Sequence, residues 1–248
     1  MLKRLQILLQ RKRRSQKFGI PFNRAASWQP PENILIAGRK QPIQLPNDNG
    51  TKVAFINIFL DDCYGLEEIR TDTDIRTVLD IGAHAGMFSL YARACFPNAV
   101  IHAYEPNSFI ESFLAHQSKI GKFAYFLEAV GKQDGRAQLA IDHKDSVQTR
   151  CTPNELGNIK QISFERCIER LGGSVDLLKL DCEGAEWEIF QQTTAWESVK
   201  HLVMEYHLTE NHMQQEAIKR VQELGFRILK LTIDGPTWGI LWATKKIG

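Results

Sequence analysis

Apolar and polar positions change period several times along the chain, and each change marks an element. Downstream of residue 76, apolar runs of strand length alternate with stretches of helical spacing. The runs predict strands over 77–81, 99–104, 124–130, 176–181, 200–206, 226–233 and 237–244. The stretches between them predict helices over 86–96, 107–119, 164–171, 185–193 and 212–224. Such alternation builds an α/β fold around a mostly parallel sheet. The last two strands meet at Asp234-Gly235-Pro236, a tight turn that demands an antiparallel pair. A seven-stranded sheet with one antiparallel strand is expected.

Upstream the pattern differs. Leu2, Leu5, Ile7, Leu8 and Leu9 interleave with Lys3 and Arg4, which suits a short amphipathic helix. Residues 25–50 are rich in Pro, Gly and Asn and read as a linker. Gln41–Leu45 and Thr51–Ile58 flank Pro46-Asn47-Asp48-Asn49-Gly50, a hairpin signal. Residues 61–70 read as a loop and short helix. The expected division is an arm, linker and β-hairpin over 1–60, then the α/β domain over 61–248. Residues 142–162 are polar with weak periodicity, a long excursion of the kind that carries substrate contacts.

The stretch Val78-Leu79-Asp80-Ile81-Gly82-Ala83-His84-Ala85-Gly86-Met87-Phe88-Ser89 reads as strand, glycine turn and helix start. The next strand runs into Tyr104-Glu105-Pro106-Asn107. This unit suits a ribose-bearing cofactor: the glycines admit the ligand to the backbone, and Glu105 can accept both ribose hydroxyls. Gly82-x-x-x-Gly86 is not the G-x-G-x-x-G of a pyrophosphate site. Asp80 would repel a pyrophosphate and suits a cationic amine or sulfonium. S-adenosylmethionine carries both and has no phosphate. His84 reads as a cofactor-loop or substrate-mouth residue. Glu128 and Ala129, ending the third strand, suit an adenine; a surface acid is the competing reading of Glu128.

Ligands of open α/β sheets sit beyond the carboxyl ends of the strands. On the fourth strand Lys179, Asp181 and Glu183 share a face, and Gly184 allows a turn into a helix. A structural Lys179–carboxylate pair is the competing reading. On the fifth strand Glu205 and His207 share a face. The carboxylate would orient the imidazole as general base toward a hydroxyl. Asp181, Glu183, Glu205 and His207 also offer an oxygen-rich set for a divalent cation. No clear metal-ligand spacing is present, so no metal is expected.

Charge adds an asymmetry. Residues 1–24 carry eight basic side chains and no acid. The remaining 23 basic against 29 acidic residues leave a body of net −6 under a whole-chain +2. The arm reads as solvated or self-associating, or as a patch for anionic partners. The 248 residues, 43% hydrophobic, suffice for one sizeable core. Five scattered cysteines without a C-x-x-C pair argue against a zinc site or a disulfide framework. With no membrane-length apolar run and no visible signal peptide, a cytoplasmic location is expected.

Three motifs together, Val-Leu-Asp-Ile-Gly-Ala-His-Ala-Gly-Met-Phe-Ser, Ala-Tyr-Glu-Pro-Asn and Leu-Leu-Lys-Leu-Asp-Cys-Glu-Gly-Ala-Glu, resemble the FkbM family of S-adenosylmethionine-dependent methyltransferases. Glu205-Tyr206-His207 resembles that family's Glu-x-His ending. The resemblance covers about residues 75–245. It implies a Rossmann-like class I methyltransferase fold with an N-terminal extension. It implies O-methylation of a hydroxyl on a sugar or natural product, in natural product biosynthesis. It implies cofactor contacts at Asp80, Gly82, Ala83, His84, Gly86, Phe88, Glu105, Pro106 and Asn107. The cofactor–substrate junction would lie at Asp181 and Glu183, with Glu205 and His207 nearby. His84 departs from the family's common Asn. Methylation of a carboxylate or amine of a peptide or natural product is the alternative. An RNA methyltransferase using the basic arm is disfavoured by the acidic body, and an NAD-dependent oxidoreductase by the missing glycine pattern.

Overall fold

A computed structural model describes residues 2–21, 29–72, 74–140, 150–209 and 212–245. Residues 22–28, with the start of the expected linker, and 141–149, with the first part of the expected excursion, lie outside the described residues. Helix α1 (Leu2–Lys17) leads into a hairpin of β1 (Asn33–Ile36) and β2 (Arg39–Pro42). Helix α2 (Asn49–Phe55), a π-helical segment (Ile56–Asp61) and α3 (Leu66–Asp72) follow. The α/β body then runs β3 (Thr77–Ile81), α4 (Met87–Cys95), β4 (Val100–Tyr104), α5 (Glu111–Gly121) and β5 (Ala124–Phe126). Next come β6 (Ala129–Gly131), β7 (Gly135–Ala140), β8 (Arg150–Pro153), β9 (Ile159–Ser163) and α6 (Phe164–Arg170). The chain closes with β10 (Val175–Leu180), α7 (Glu186–Ile189), β11 (Val199–His207), α8 (Gln214–Glu223), β12 (Phe226–Leu231) and β13 (Trp238–Lys245).

The main sheet has seven strands in the order β12-β13-β11-β10-β3-β4-β5. As expected, β13 alone is reversed, antiparallel to both β11 and β12. Every residue of β10 is buried, as a central parallel strand sandwiched between helices requires. From β3 the chain moves outward through β4 and β5, then returns to add β10 on the other side. The crevice between β3 and β10 is therefore the topological switch point, where such sheets bind ligands.

Three readings change. The predicted strand over 51–58 is helical. The Asp48 carboxylate accepts the Thr51 N–H at 2.7 Å, an N-cap, and Phe55 and Phe59 fall four apart into the core, stacked at 4.6 Å. Turn-rich residues before an apolar run fit a hairpin and a helix cap equally; the hairpin lies upstream, in β1 and β2. The predicted strand 124–130 splits, with β5 in the main sheet and β6 pairing β9. The polar excursion contributes β8 and β9 to a second sheet ordered β6-β9-β7-β8. Residues before 60 also join the main core: Phe18 packs edge-on to Phe59 at 5.4 Å and against Tyr91 at 5.5 Å.

Candidate active site

A cavity of about 680 Å³ opens at the switch point. Its first wall is the turn after β3. The Gly82 and Ala83 N–H groups both donate to the Tyr104 carbonyl at 3.0 Å. Gly82 has φ 77°, and a Cβ there would stand 1.6 Å from the Asp181 carbonyl oxygen. Only glycine lets the turn press this closely on the end of β10. Gly86, also at φ 77°, opens helix α4.

The His84 N–H donates to Glu105 Oε2 at 2.8 Å, and the Asn107 N–H to Oε1 at 2.9 Å. Each carboxylate oxygen thus has a fixed donor and keeps accepting capacity. Burial pushes the Glu105 carboxyl up to about 7 against the pull of those two N–H groups. Burial depresses the His84 imidazole to about 4, so it is neutral.

Gly82, Ala83, His84, Phe88, Glu105 and Pro106 line the cavity, as do Glu128 and Ala129 where β5 gives way to β6. Asp80, Gly86 and Asn107 do not. Asp80 is wholly buried behind the turn, accepting the Ser89 hydroxyl at 2.7 Å and lying 3.4 Å from Lys179 Nζ. The expected direct contact of Asp80 with a cationic ligand is corrected: it anchors Lys179 and α4. Asn107 fixes Glu105 and caps the following turn. Lys160 at 2.6 Å and Arg170 at 2.8 Å pair with the Glu128 carboxylate. Burial opposes ionisation of Glu128, but those pairs hold its pKa below the usual range.

The opposite wall joins the ends of β10 and β11. Asp181, Glu183, Glu205 and His207 all line it. Buried Lys179 donates to the Gly82 carbonyl and lies 3.4 Å from both Asp80 and Asp181. Burial alone would lower its pKa; the two acids outweigh that and raise it, so it is an ammonium. Tyr64 donates its hydroxyl to Asp181 Oδ2 at 3.0 Å.

The His207 ring is ringed by carboxylates. Nδ1 is 3.2 Å from Glu186, and Nε2 is 3.4 Å from Glu205 and 3.6 Å from Glu183. Burial would depress this imidazole. Hydrogen bonds to Glu186 and Glu205, with Asp181 nearby, prevail and raise it to about 11. This geometry favours the protonated ring over a neutral base at His207, because both ring nitrogens face carboxylates. Glu186, missed in the sequence, is the reason: it reaches His207 while accepting the Cys182 and Gly184 N–H groups. Glu183 sits at a left-handed φ of 54°. Burial raises its carboxyl to about 7 although His207 pulls it down. Glu205 is raised too, by burial and then by Asp181. The ligand atoms of Asp181, Glu205 and His207 lie within 4.8 Å of one another, close enough for one cation to bridge, but His207 enters that set as a proton donor.

The mouth adds residues that sequence reasoning missed. Val53, Ala54, Asn57 and Ile58 come from α2 and the π-helical segment, and Pro236, Thr237 and Trp238 from the β12–β13 turn. Tyr64 lies in a turn with no periodic signal.

An α/β sheet of this order, with a glycine turn and a buried acid at its switch point, is the class I methyltransferase fold. The model of the methyltransferase FkbM domain matches residues 80–228, and the chain belongs to that family. S-adenosylmethionine is its cofactor. The observed cradle fits it: the Gly82 turn, packed tightly on the end of β10, lines the cavity beside Glu105, whose carboxylate is held by two backbone N–H groups and keeps accepting capacity.

Among relatives, the chain is 25% identical to AMB antimetabolite synthetase AmbE of Pseudomonas aeruginosa, over 65% of this chain and 10% of that protein. It is 26% identical to methyltransferase sdnD of Sordaria araneosa, over 60% of this chain and 71% of that protein. It is 35% identical to 31-O-demethyl-FK506 methyltransferase FkbM of Streptomyces tacrolimicus, over 27% of this chain and 28% of that protein. Magnesium protoporphyrin IX methyltransferase of Synechocystis shares the fold, with TM-score 0.51 at 12% identity, covering 82% of this chain and 87% of that one. Among the described residues no helix is long and apolar enough to cross a membrane.

Proposed function

We propose that the chain methylates a hydroxyl oxygen of a small sugar or natural-product acceptor, with Glu183 as the base. The observation that carries this reading is the Glu183 carboxyl, lining the cavity 3.6 Å from His207 Nε2 and raised by burial to about 7. A base poised near neutral pH suits removal of a hydroxyl proton. In this reading Glu105 accepts the ribose hydroxyls, and Glu128 and the Ala129 backbone flank the adenine. When bound, the cofactor supplies an electrophilic methyl group on its sulfonium.

The chain's own residues do the rest. The Glu183 carboxylate takes the acceptor's proton. His207, still protonated, holds Glu183 and Glu205 in position and offsets their charge. Tyr64 and Lys179 fix Asp181, which lends negative potential near a cationic ligand. Val53, Ile58 and Trp238, which also line the cavity, give it an apolar side that would limit water near the reacting atoms. The 31-O-demethyl-FK506 methyltransferase, by its name, acts on an oxygen, which agrees with this reading.

Carboxylate acceptors are disfavoured because the wall is already rich in carboxylates. RNA is disfavoured for the same reason. The test is transfer of labelled methyl from S-adenosylmethionine to a panel of hydroxyl, amine and carboxylate natural products. Labelled methyl ethers support the proposal; label found only on nitrogen or on carboxylates removes it.

A further inference from the structure

The first two turns of α1 carry a surface that the catalytic reading does not use. Leu5, Leu8 and Leu9 are 55%, 54% and 58% exposed. With 3.6 residues per turn, these three fall within about 100° of one another on the helix. Arg4 and Arg13 flank that stripe on either side, and Lys12 continues it one turn on; all three are exposed. The stripe is not the side by which α1 binds the body. Arg11 grips Asp61 through two bonds of 2.6 Å. Arg14 meets Asp62 at 2.9 Å, Glu67 and the Tyr91 hydroxyl at 2.8 Å, and Lys17 meets Glu67 at 2.5 Å. Phe18 is buried on the same side, and Ser15 is buried at the edge between that side and the stripe. The centre of that docked side lies nearly half a turn from the centre of the leucine stripe.

The charges divide accordingly. The body's acids at 61, 62 and 67 pair directly with Arg11, Arg14 and Lys17, and Glu67 also attracts Arg13 through space. What points outward is a leucine stripe bordered by cations, on a helix held firmly at its C-terminal half. We propose that this face of α1 docks on an anionic lipid surface, with the leucines sunk among the acyl chains and Arg4, Lys12 and Arg13 on the headgroups. Basic amphipathic helices of this kind lie in the plane of the interface and bind by apolar burial plus charge. A second copy of the chain is the poorer occupant: pairing two such stripes sets Arg4, Lys12 and Arg13 against their own copies, and residues 1–24 hold no acid to relieve them. RNA is poorer too, since its phosphates give three exposed leucines nothing to pack on.

The test is sedimentation of the full chain with vesicles of pure phosphatidylcholine or of phosphatidylcholine mixed with phosphatidylserine, at about physiological salt. Binding is expected to the mixed vesicles and to be far weaker with the neutral ones. Replacing the leucines together (Leu5→Ser, Leu8→Ser, Leu9→Ser) should lower the partition coefficient by about tenfold or more. Replacing the cations together (Arg4→Gln, Lys12→Gln, Arg13→Gln) should do likewise. Melting temperature and S-adenosylmethionine affinity should stay at wild-type values in both variants, because the changed residues lie outside the core and cavity. The proposal fails if the wild type does not sediment with the mixed vesicles, or if the leucine variant binds them as well as wild type does. It also fails if ultracentrifugation without lipid reveals a dimer that the leucine changes abolish, or if the chain retains a labelled RNA regardless of the leucines.

Discussion

On the β3–β4 side of the cavity the backbone does the recognising. Gly82 lets the turn press against the Asp181 carbonyl where a side chain could not stand, and the His84 and Asn107 N–H groups fix Glu105. On the β10–β11 side the recognising is done by charge. Asp181, Glu183, Glu186 and Glu205 surround one imidazolium and one ammonium. Backbone geometry is local and depends on a few adjacent residues. A charge cluster is collective, and each member's state depends on the others. The first wall is suited to a cofactor of constant shape. The second can be retuned for a new acceptor by changing one side chain.

The comparison breaks most visibly at Gly82. Gly82→Ala forces a Cβ onto the Asp181 carbonyl at a left-handed φ, so it strikes both walls at once. Titration calorimetry should detect no S-adenosylmethionine binding, with stability reduced by about 2 kcal/mol or more. Near-normal binding in that variant would mean that the turn relaxes and is not a fixed cradle.

Glu183→Gln separates the walls. Turnover should fall by about 10²–10⁴-fold, the usual span for removing a general base. S-adenosylmethionine affinity should hold, since Glu105, the proposed ribose acceptor, is on the other wall. Wild-type turnover should rise with pH through about 7 and then level off, as the Glu183 carboxyl ionises. A variant that keeps both rate and profile would hand the role to Asp181 or Glu205.

Glu105→Ala should do the reverse, weakening S-adenosylmethionine by about 1–3 kcal/mol. Turnover at saturating cofactor should change far less. Because burial holds the Glu105 carboxyl near 7, wild-type affinity should tighten as pH rises through that value. A flat affinity profile would take Glu105 out of the ribose site. The smallest expected effect is that of a chelator. Activity should survive EDTA; loss that magnesium or manganese restores would recast Asp181, Glu205 and His207 as ligands.

The same contrast explains what the sequence could convey. Strand–turn–helix order, the reversed β13 and the acid at Glu105 follow from period and turn chemistry, which are local. His207 was found by its strand position, but its charge was not, because Glu186 arrives from a different element. Tyr64 meets Asp181 across 117 positions of chain, a distance no periodicity spans. At Pro46–Gly50 the local signals fitted two structures, and the apolar spacing of Phe55 and Phe59 in the core decided for the helix.

In the proposed function His207 is an imidazolium and a carboxylate is the base. Nitrogen-15 NMR of labelled histidine, assigned with His207→Gln, reads the charge of this ring directly. The account predicts both ring nitrogens protonated at pH 7 and beyond, with titration displaced toward 11. The folded value lies above that of a free imidazole, about 6.5, so the stabilisation from this charge is full below that pH and fades as pH climbs toward 11. Chemical denaturation should follow that sign, with the cost of His207→Gln shrinking across the same window. A neutral His207 at pH 7, titrating near the free value, would contradict the account and return the general base to the imidazole.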